Sequence, residues 1–145
     1  MGHSDSPTYR MAVTQSRANR AFKLKMAQLL RQHNLTMMQW TIIGLVHDGG
    51  KAGLRISDLA QELDTSMAFV TTTVNMLEAK GMVQKTSHER DSRAKLVRIT
   101  DSFKSKVSAI EKDLYGHIEK WLGEKINAGD LATYRKVLDV IAEAE

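Results

Sequence analysis

The sequence predicts a mainly α protein with a small β-wing: a winged helix-turn-helix module flanked by N- and C-terminal helices. Three observations carry this. Ile56 to Leu63 and Met67 to Lys80 read as two compact helices with a tight turn between them. Met82 to Ser87 and Lys95 to Ile99 follow as strands around a polar tip, His88-Glu89-Arg90-Asp91-Ser92-Arg93. Long stretches of helical periodicity lie on either side. Helix, turn, helix and hairpin, in that order, fit a DNA groove and its flanking backbone.

Each element has its own signal. From Thr8 to His33, Ala18, Phe22, Met26 and Leu29 recur at spacings of four and three, the period of a helix face. Asn34 is its stop. Thr36 is the N-cap of a second helix, Met37 to His47, with Trp40, Ile43, Leu45 and Val46 as its apolar set. Asp48 to Gly53 holds three glycines and reads as a loop. Leu54-Arg55 is a short strand that pairs with the wing. In the third helix Ile56, Leu59, Ala60 and Leu63 share a face. In the fourth, Met67, Val70, Val74 and Leu77 share the face expected to bury, and Gly81 ends it.

Thr100 is the expected N-cap of a long helix, with Asp101 favoured by the positive helix end. Phe103, Val107, Ile110, Leu114, His117 and Trp121 follow at spacings of 4, 3, 4, 3 and 4, close to a coiled-coil seam. Asn127-Ala128-Gly129-Asp130 breaks the helix, and Leu131, Tyr134, Leu138 and Ile141 form a last stripe. Residues 1–145 are read as one protein, with 35–100 the winged module and 8–34 and 101–145 dimerisation helices. These terminal helices carry more apolar stripe than a small winged core covers, so a second copy of the chain is expected to bury them.

Composition narrows the function. The chain has 145 residues, 42% of them hydrophobic, and no cysteine, which excludes disulfides, thiol redox sensing and cysteine-ligated metals. No apolar run approaches the ~18 residues of a membrane helix. Met1 to Pro7 lacks the apolar middle of a signal peptide, so a cytoplasmic protein without membrane association is expected. The net charge is +4. Lys80, Lys85, Arg90, Arg93, Lys95 and Arg98 crowd into the wing against Glu89 and Asp91 alone. Such a concentration points to a polyanion.

Several strings together resemble the MarR family of bacterial transcriptional regulators. Leu35-Thr36-Met37-Met38-Gln39-Trp40 is similar to that family's entry to its second helix. Ile56-Ser57-Asp58-Leu59-Ala60-Gln61-Glu62-Leu63 resembles its next helix. Leu77-Glu78-Ala79-Lys80-Gly81-Met82-Val83 resembles the end of its recognition helix. Glu89 to Thr100 resembles its wing, with Asp91 and Arg93 as the signature pair. The resemblance implies a winged-helix homodimer on palindromic double-stranded DNA, a repressor relieved by a small phenolic or lipophilic ligand. Two departures stand out. The family's glycine after the wing's closing threonine is absent, where Phe103 and Lys104 stand. Met67 and Thr72 stand where its recognition helix often carries Arg or Lys.

The candidate DNA contacts follow. On the fourth helix Ala68, Thr72 and Asn75 face away from the buried side, with Thr65, Ser66 and Thr71 at the front edge; Met67, in the first turn, joins this set. Asn can bond an adenine edge and a Thr methyl can touch a thymine methyl, so readout weighted toward A·T pairs is expected. Arg93 suits a narrow minor groove. Asp91 holds Arg93 or Arg90 through a charge-assisted bond. Arg90, Lys85, Lys95 and the hydroxyl of Ser66 are candidate phosphate contacts. A ligand pocket, where the terminal helices meet the winged module, would be walled by Met11, Arg17, Phe22, Met38, Trp40 and His47.

His33, His47, His88 and His117 form no metal-binding spacing, and no phosphate loop or nucleophile motif is present. The expectation is a regulator without enzymatic activity, cofactor or metal. The alternatives are a winged-helix protein–protein interaction module and an architectural DNA binder that needs no effector.

Overall fold

The computed structural model describes residues 7–87 and 95–144. Six α-helices and three strands run in the order α1 (Thr8–Leu30), α2 (Met37–Asp48), β1 (Leu54–Arg55), α3 (Ile56–Glu62), α4 (Met67–Ala79), β2 (Val83–Ser87), β3 (Lys95–Ile99), α5 (Asp101–Leu122) and α6 (Ala128–Glu143) among the described residues. Short 3₁₀ turns follow α1 (Arg31–His33) and α2 (Gly50–Ala52). A mainly α chain with a small antiparallel sheet is the fold class the sequence predicts. The chain divides into two compact units, Met1–Ile110 and Glu111–Glu145.

In the first unit, three helices end by the same device. Asn34, Asp64 and Gly81 take left-handed backbone angles, with φ of 56°, 50° and 76°. At each, the next amide reaches back to a carbonyl of the last turn: Leu35 to Leu30 at 3.2 Å, Thr65 to Ala60 at 3.0 Å and Met82 to Leu77 at 3.0 Å. This is the Schellman ending, and it satisfies carbonyls a helix end otherwise leaves orphaned. The next elements start just as sharply. Thr36 Oγ1 accepts from the Gln39 amide at 3.1 Å, and Gln39 Oε1 in turn accepts from the Thr36 amide at 3.0 Å. That capping box explains why Gln39, a polar residue, is buried.

Leu30, Ile42, Ile43, Val46, Leu59, Val70, Val74, Leu77 and Val97 are fully enclosed. They come from α1 to α4 and β3, and α2 packs on both α4 and β3. Each such side chain contributes about 1.5–3 kcal/mol of apolar transfer. Leu45, counted in the apolar set of α2, is only half-buried, whereas Ile42 is enclosed.

The buried face of α4 is rotated from the expected one. Met67 is 55% exposed, and Thr73 takes a buried place beside Val70, Val74 and Leu77. At about 100° per residue those four positions form one stripe that leaves Met67 at its margin. Thr73 tolerates burial because its hydroxyl donates to the Phe69 carbonyl at 3.0 Å.

The sheet has the order β1-β3-β2, all antiparallel. Leu54 lies opposite Val97, which is the strand pairing read from the sequence, and Val83 lies opposite Ile99. Gly53 makes the approach to β1 possible. Its φ is 75°, and a Cβ there would meet the Val97 carbonyl oxygen at 2.7 Å.

Thr100 precedes α5 as expected, and its carbonyl accepts from Phe103 and Lys104. Its hydroxyl turns the other way and donates to the Gly81 carbonyl at 2.7 Å. The buried residues of α5 are Phe103, Val107, Leu114 and Ile118, while His117 and Trp121 of the expected seam are exposed. In the second unit, Asn127 and Asp130 form a reciprocal cap at the start of α6, at 2.9 and 3.1 Å. No residue of α6 is buried.

Candidate nucleic-acid interface

The face of α4 opposite its buried stripe carries Ala68, Thr71, Thr72 and Asn75, all exposed. Local chemistry accounts for the helix start. Ser66 is the N-cap, and its Oγ accepts from the Phe69 amide at 3.1 Å. That leaves the hydroxyl proton of Ser66 free to donate outward. Thr65 sits half-buried in the turn after Asp64. Thr72 Oγ1 donates to the Ala68 carbonyl at 3.0 Å. Its hydrogen is therefore spent within the helix, and its methyl and oxygen lone pairs are what it offers a ligand.

The foot of the wing lies beside this helix. Lys85, half-buried on β2, donates from Nζ to Asn75 Oδ1. Glu78 accepts from the Lys85 backbone amide at 3.1 Å and stands 3.5 Å from its ammonium. Lys95 Nζ donates to Ser87 Oγ at 3.2 Å across the strand pair. Ser66, Thr72 and Asn75 thus lie along α4, and the structure joins Lys85 of β2 to Asn75. Arg90, Asp91 and Arg93 lie outside the described residues.

Two exposed side chains of α4 were not singled out in the sequence. Phe69 and Met76 are 47% and 51% exposed, seven residues apart on one flank. The spacing was there to read; an apolar residue inside a helix invites assignment to the core instead.

The candidate ligand walls are dispersed. Met11, Arg17 and Phe22 are exposed along α1, and Met11 and Phe22 stand about 16 Å apart at 1.5 Å per residue. On α2, Trp40 belongs to the core, while Met38 and His47 are half-buried. Helical rotation turns Met38 about 160° away from Trp40, whose side His47 shares. A separate hollow lies between α2, β1 and α3, with Leu45, Leu54 and Leu59 as its apolar lining and Asp48, Asp58 and Glu62 around it. None of the candidate ligand residues lines it. No group of three or more potential metal ligands occurs among the described residues. No described helix is long and apolar enough to cross a membrane.

The fold and this helix-plus-wing arrangement define a winged helix-turn-helix protein. Residues 33–94 match the model of the MarR family. Over 86 residues it is 30% identical to an uncharacterized HTH-type transcriptional regulator, YdgJ of Bacillus subtilis (strain 168). That match takes in 59% of this chain, and the chain spans half the length of the relative. The structure is similar to that of MepR of S. aureus in complex with DNA, with a TM-score of 0.74, 21% identity, and 90% and 95% of the two chains covered. It is also similar to CouR of Rhodococcus jostii RHA1 bound to p-coumaroyl-CoA, with a TM-score of 0.77, 17% identity and 93% of each chain covered. At these identities the structural likeness establishes the fold. The curated relatives are transcriptional regulators, a class of binding proteins and not of enzymes.

Proposed function

We propose that the chain is a DNA-binding transcriptional regulator that acts as a homodimeric repressor on a palindromic operator and is released by a small phenolic or lipophilic ligand. One observation carries the DNA-binding reading. A helix buried on one side by Val70, Thr73, Val74 and Leu77 presents Ala68, Thr71, Thr72 and Asn75, all small, uncharged and groove-compatible, on the opposite face, next to a basic hairpin. The likeness to MepR in its DNA complex supports it. The exposed Tyr134, Val137, Leu138, Val140 and Ile141 of α6 support a second copy as partner. The likeness to CouR with its bound p-coumaroyl-CoA supports an effector.

The direct test is fluorescence anisotropy on duplex DNA from upstream of the protein's own gene, over a range of salt. Log affinity should fall linearly with log salt, with a slope of about −0.9 per phosphate contact. Light scattering should return the mass of two chains. Failure to bind any duplex in dilute buffer would remove the reading.

One observation favours a second reading, a winged helix that docks another protein. Met67, Phe69 and Met76 expose apolar surface on the same helix. Binding that is insensitive to salt would point that way.

A further inference from the structure

We infer that Lys85 and Glu78 are positioning residues that decide which base edge Asn75 reads. The inference rests on the proposed DNA-binding function and concerns the same helix. Asn75 is exposed on the outer face of α4. Its amide has one acceptor, Oδ1, and one nitrogen with two donor hydrogens. An adenine needs both ends, the oxygen to accept from N6 and the nitrogen to donate to N7. Here Oδ1 is turned toward the wing and accepts from Lys85 Nζ. An ammonium can only donate, so the amide orientation follows from chemistry, and it is the nitrogen that faces away from Lys85.

Glu78 adds a second hold on Lys85. Its carboxylate takes the Lys85 backbone amide at 3.1 Å and stands 3.5 Å from the ammonium. Three residues from two elements are thereby joined, Asn75 and Glu78 one turn apart on α4 and Lys85 on β2. The cluster has no net charge, since the carboxylate offsets the ammonium. Lys85 therefore serves Asn75 and not a phosphate, although the sequence places it among the phosphate contacts. With Oδ1 turned to Lys85, the amide presents its NH₂ donors outward, and these favour an edge made of acceptors, which guanine presents as O6 and N7. The expected readout at this position is guanine, within a face otherwise suited to A·T pairs.

The test is selection from a randomised duplex library with the intact protein and four variants, Asn75→Ala, Lys85→Met, Lys85→Arg and Glu78→Gln. Asn75→Ala should flatten the preference at one base position and so identify it. The parent protein should prefer guanine there. Lys85→Met, which frees Oδ1, should shift that position toward adenine by on the order of tenfold. Lys85→Arg, which keeps a donor, should retain guanine. Glu78→Gln should soften the preference in the same direction as Lys85→Met. The salt slope of Lys85→Met on the selected duplex should equal that of the parent.

A purely structural role for Lys85 would lower affinity on every sequence alike and leave the preference in place, which overturns the inference. A slope flattened by about 0.9 in Lys85→Met would make Lys85 a phosphate contact and overturn it as well. Both outcomes leave the DNA-binding reading standing. Side-chain amide NMR of the free protein separates the remaining case. The Asn75 NH₂ pair should move in Lys85→Met. If it does not move, the hydrogen bond is absent and the inference fails without reference to DNA. If it moves while the parent enriches no sequence, the DNA-binding reading fails and this inference falls with it.

Discussion

The hydroxyl of Thr100 donates to the carbonyl oxygen of Gly81 across 2.7 Å. The bond links the residue that leaves the wing to the one that ends α4. The Thr100 amide adds a second link, to Met82 at 3.1 Å. The end of α4 and the entry of the hairpin are thus tied to its exit. Replacing Thr100 with Val keeps the shape and removes the hydroxyl, so stability should fall by about 1 kcal/mol. Thr100→Ser should recover most of that loss. Urea unfolding of the two variants checks it, and equal losses would show that the methyl group matters and the hydroxyl does not.

Two backbone positions allow a sharper test. Gly53 combines a φ of 75° with a site where a Cβ would sit 2.7 Å from the Val97 carbonyl oxygen. Gly53→Ala should cost about 2–3 kcal/mol and loosen the β1–β3 pairing. Asp64, with φ of 50°, turns the chain between α3 and α4. Asp64→Ala should cost about 1 kcal/mol, and Asp64→Gly should cost less or stabilise. Thermal melts rank the three, and an Ala at 64 that is as stable as Gly would contradict the strained-turn account.

On the proposed function, Thr72→Ala removes a methyl that can touch a thymine while leaving the helix intact. It should weaken binding to a matched operator by roughly 1 kcal/mol or less and leave a scrambled duplex nearly unaffected. An equal loss on both would end the base-reading role. Arg93→Ala, between β2 and β3 in the sequence, should lower affinity for both duplexes and flatten the salt slope by about 0.9. Unchanged affinity and slope would remove the wing from the interface.

The proposed dimer predicts a different response. Leu138 and Ile141 are 43% and 53% exposed on α6. Placing a charge on that face, as in Leu138→Glu with Ile141→Glu, should shift the chain toward monomer at micromolar concentration. The far-ultraviolet signature of the first unit should persist. Light scattering with circular dichroism reads both, and a double variant that stays dimeric would exclude this face as the contact.

Much of the architecture is legible in the sequence because helix ends announce themselves. Asn34, Gly81, Thr36 and the Asn127–Asp130 pair are the residue types that such ends favour. The Leu54-Arg55 strand is legible too, since it sits between a glycine loop and a helix face. Three features are hidden for physical reasons. Thr73 is buried because a carbonyl one turn back satisfies its hydroxyl, which no hydrophobicity pattern records. Asp64 takes a left-handed angle that Asn or Gly would have signalled more clearly. The union of Asn75, Glu78 and Lys85 joins a helix to a strand, and periodicity along one element says nothing about a partner on another.

The helix α6 begins with a well-formed cap and buries none of its own side chains. A capped segment of 16 residues is only marginally helical when nothing holds it. Its amide hydrogens should then exchange with solvent far sooner than those of α2, and the gap should narrow as protein concentration rises. The C-terminal end would in that way report how crowded the chain is with its own kind, so that any melting temperature quoted for it has meaning only beside the dilution at which it was read.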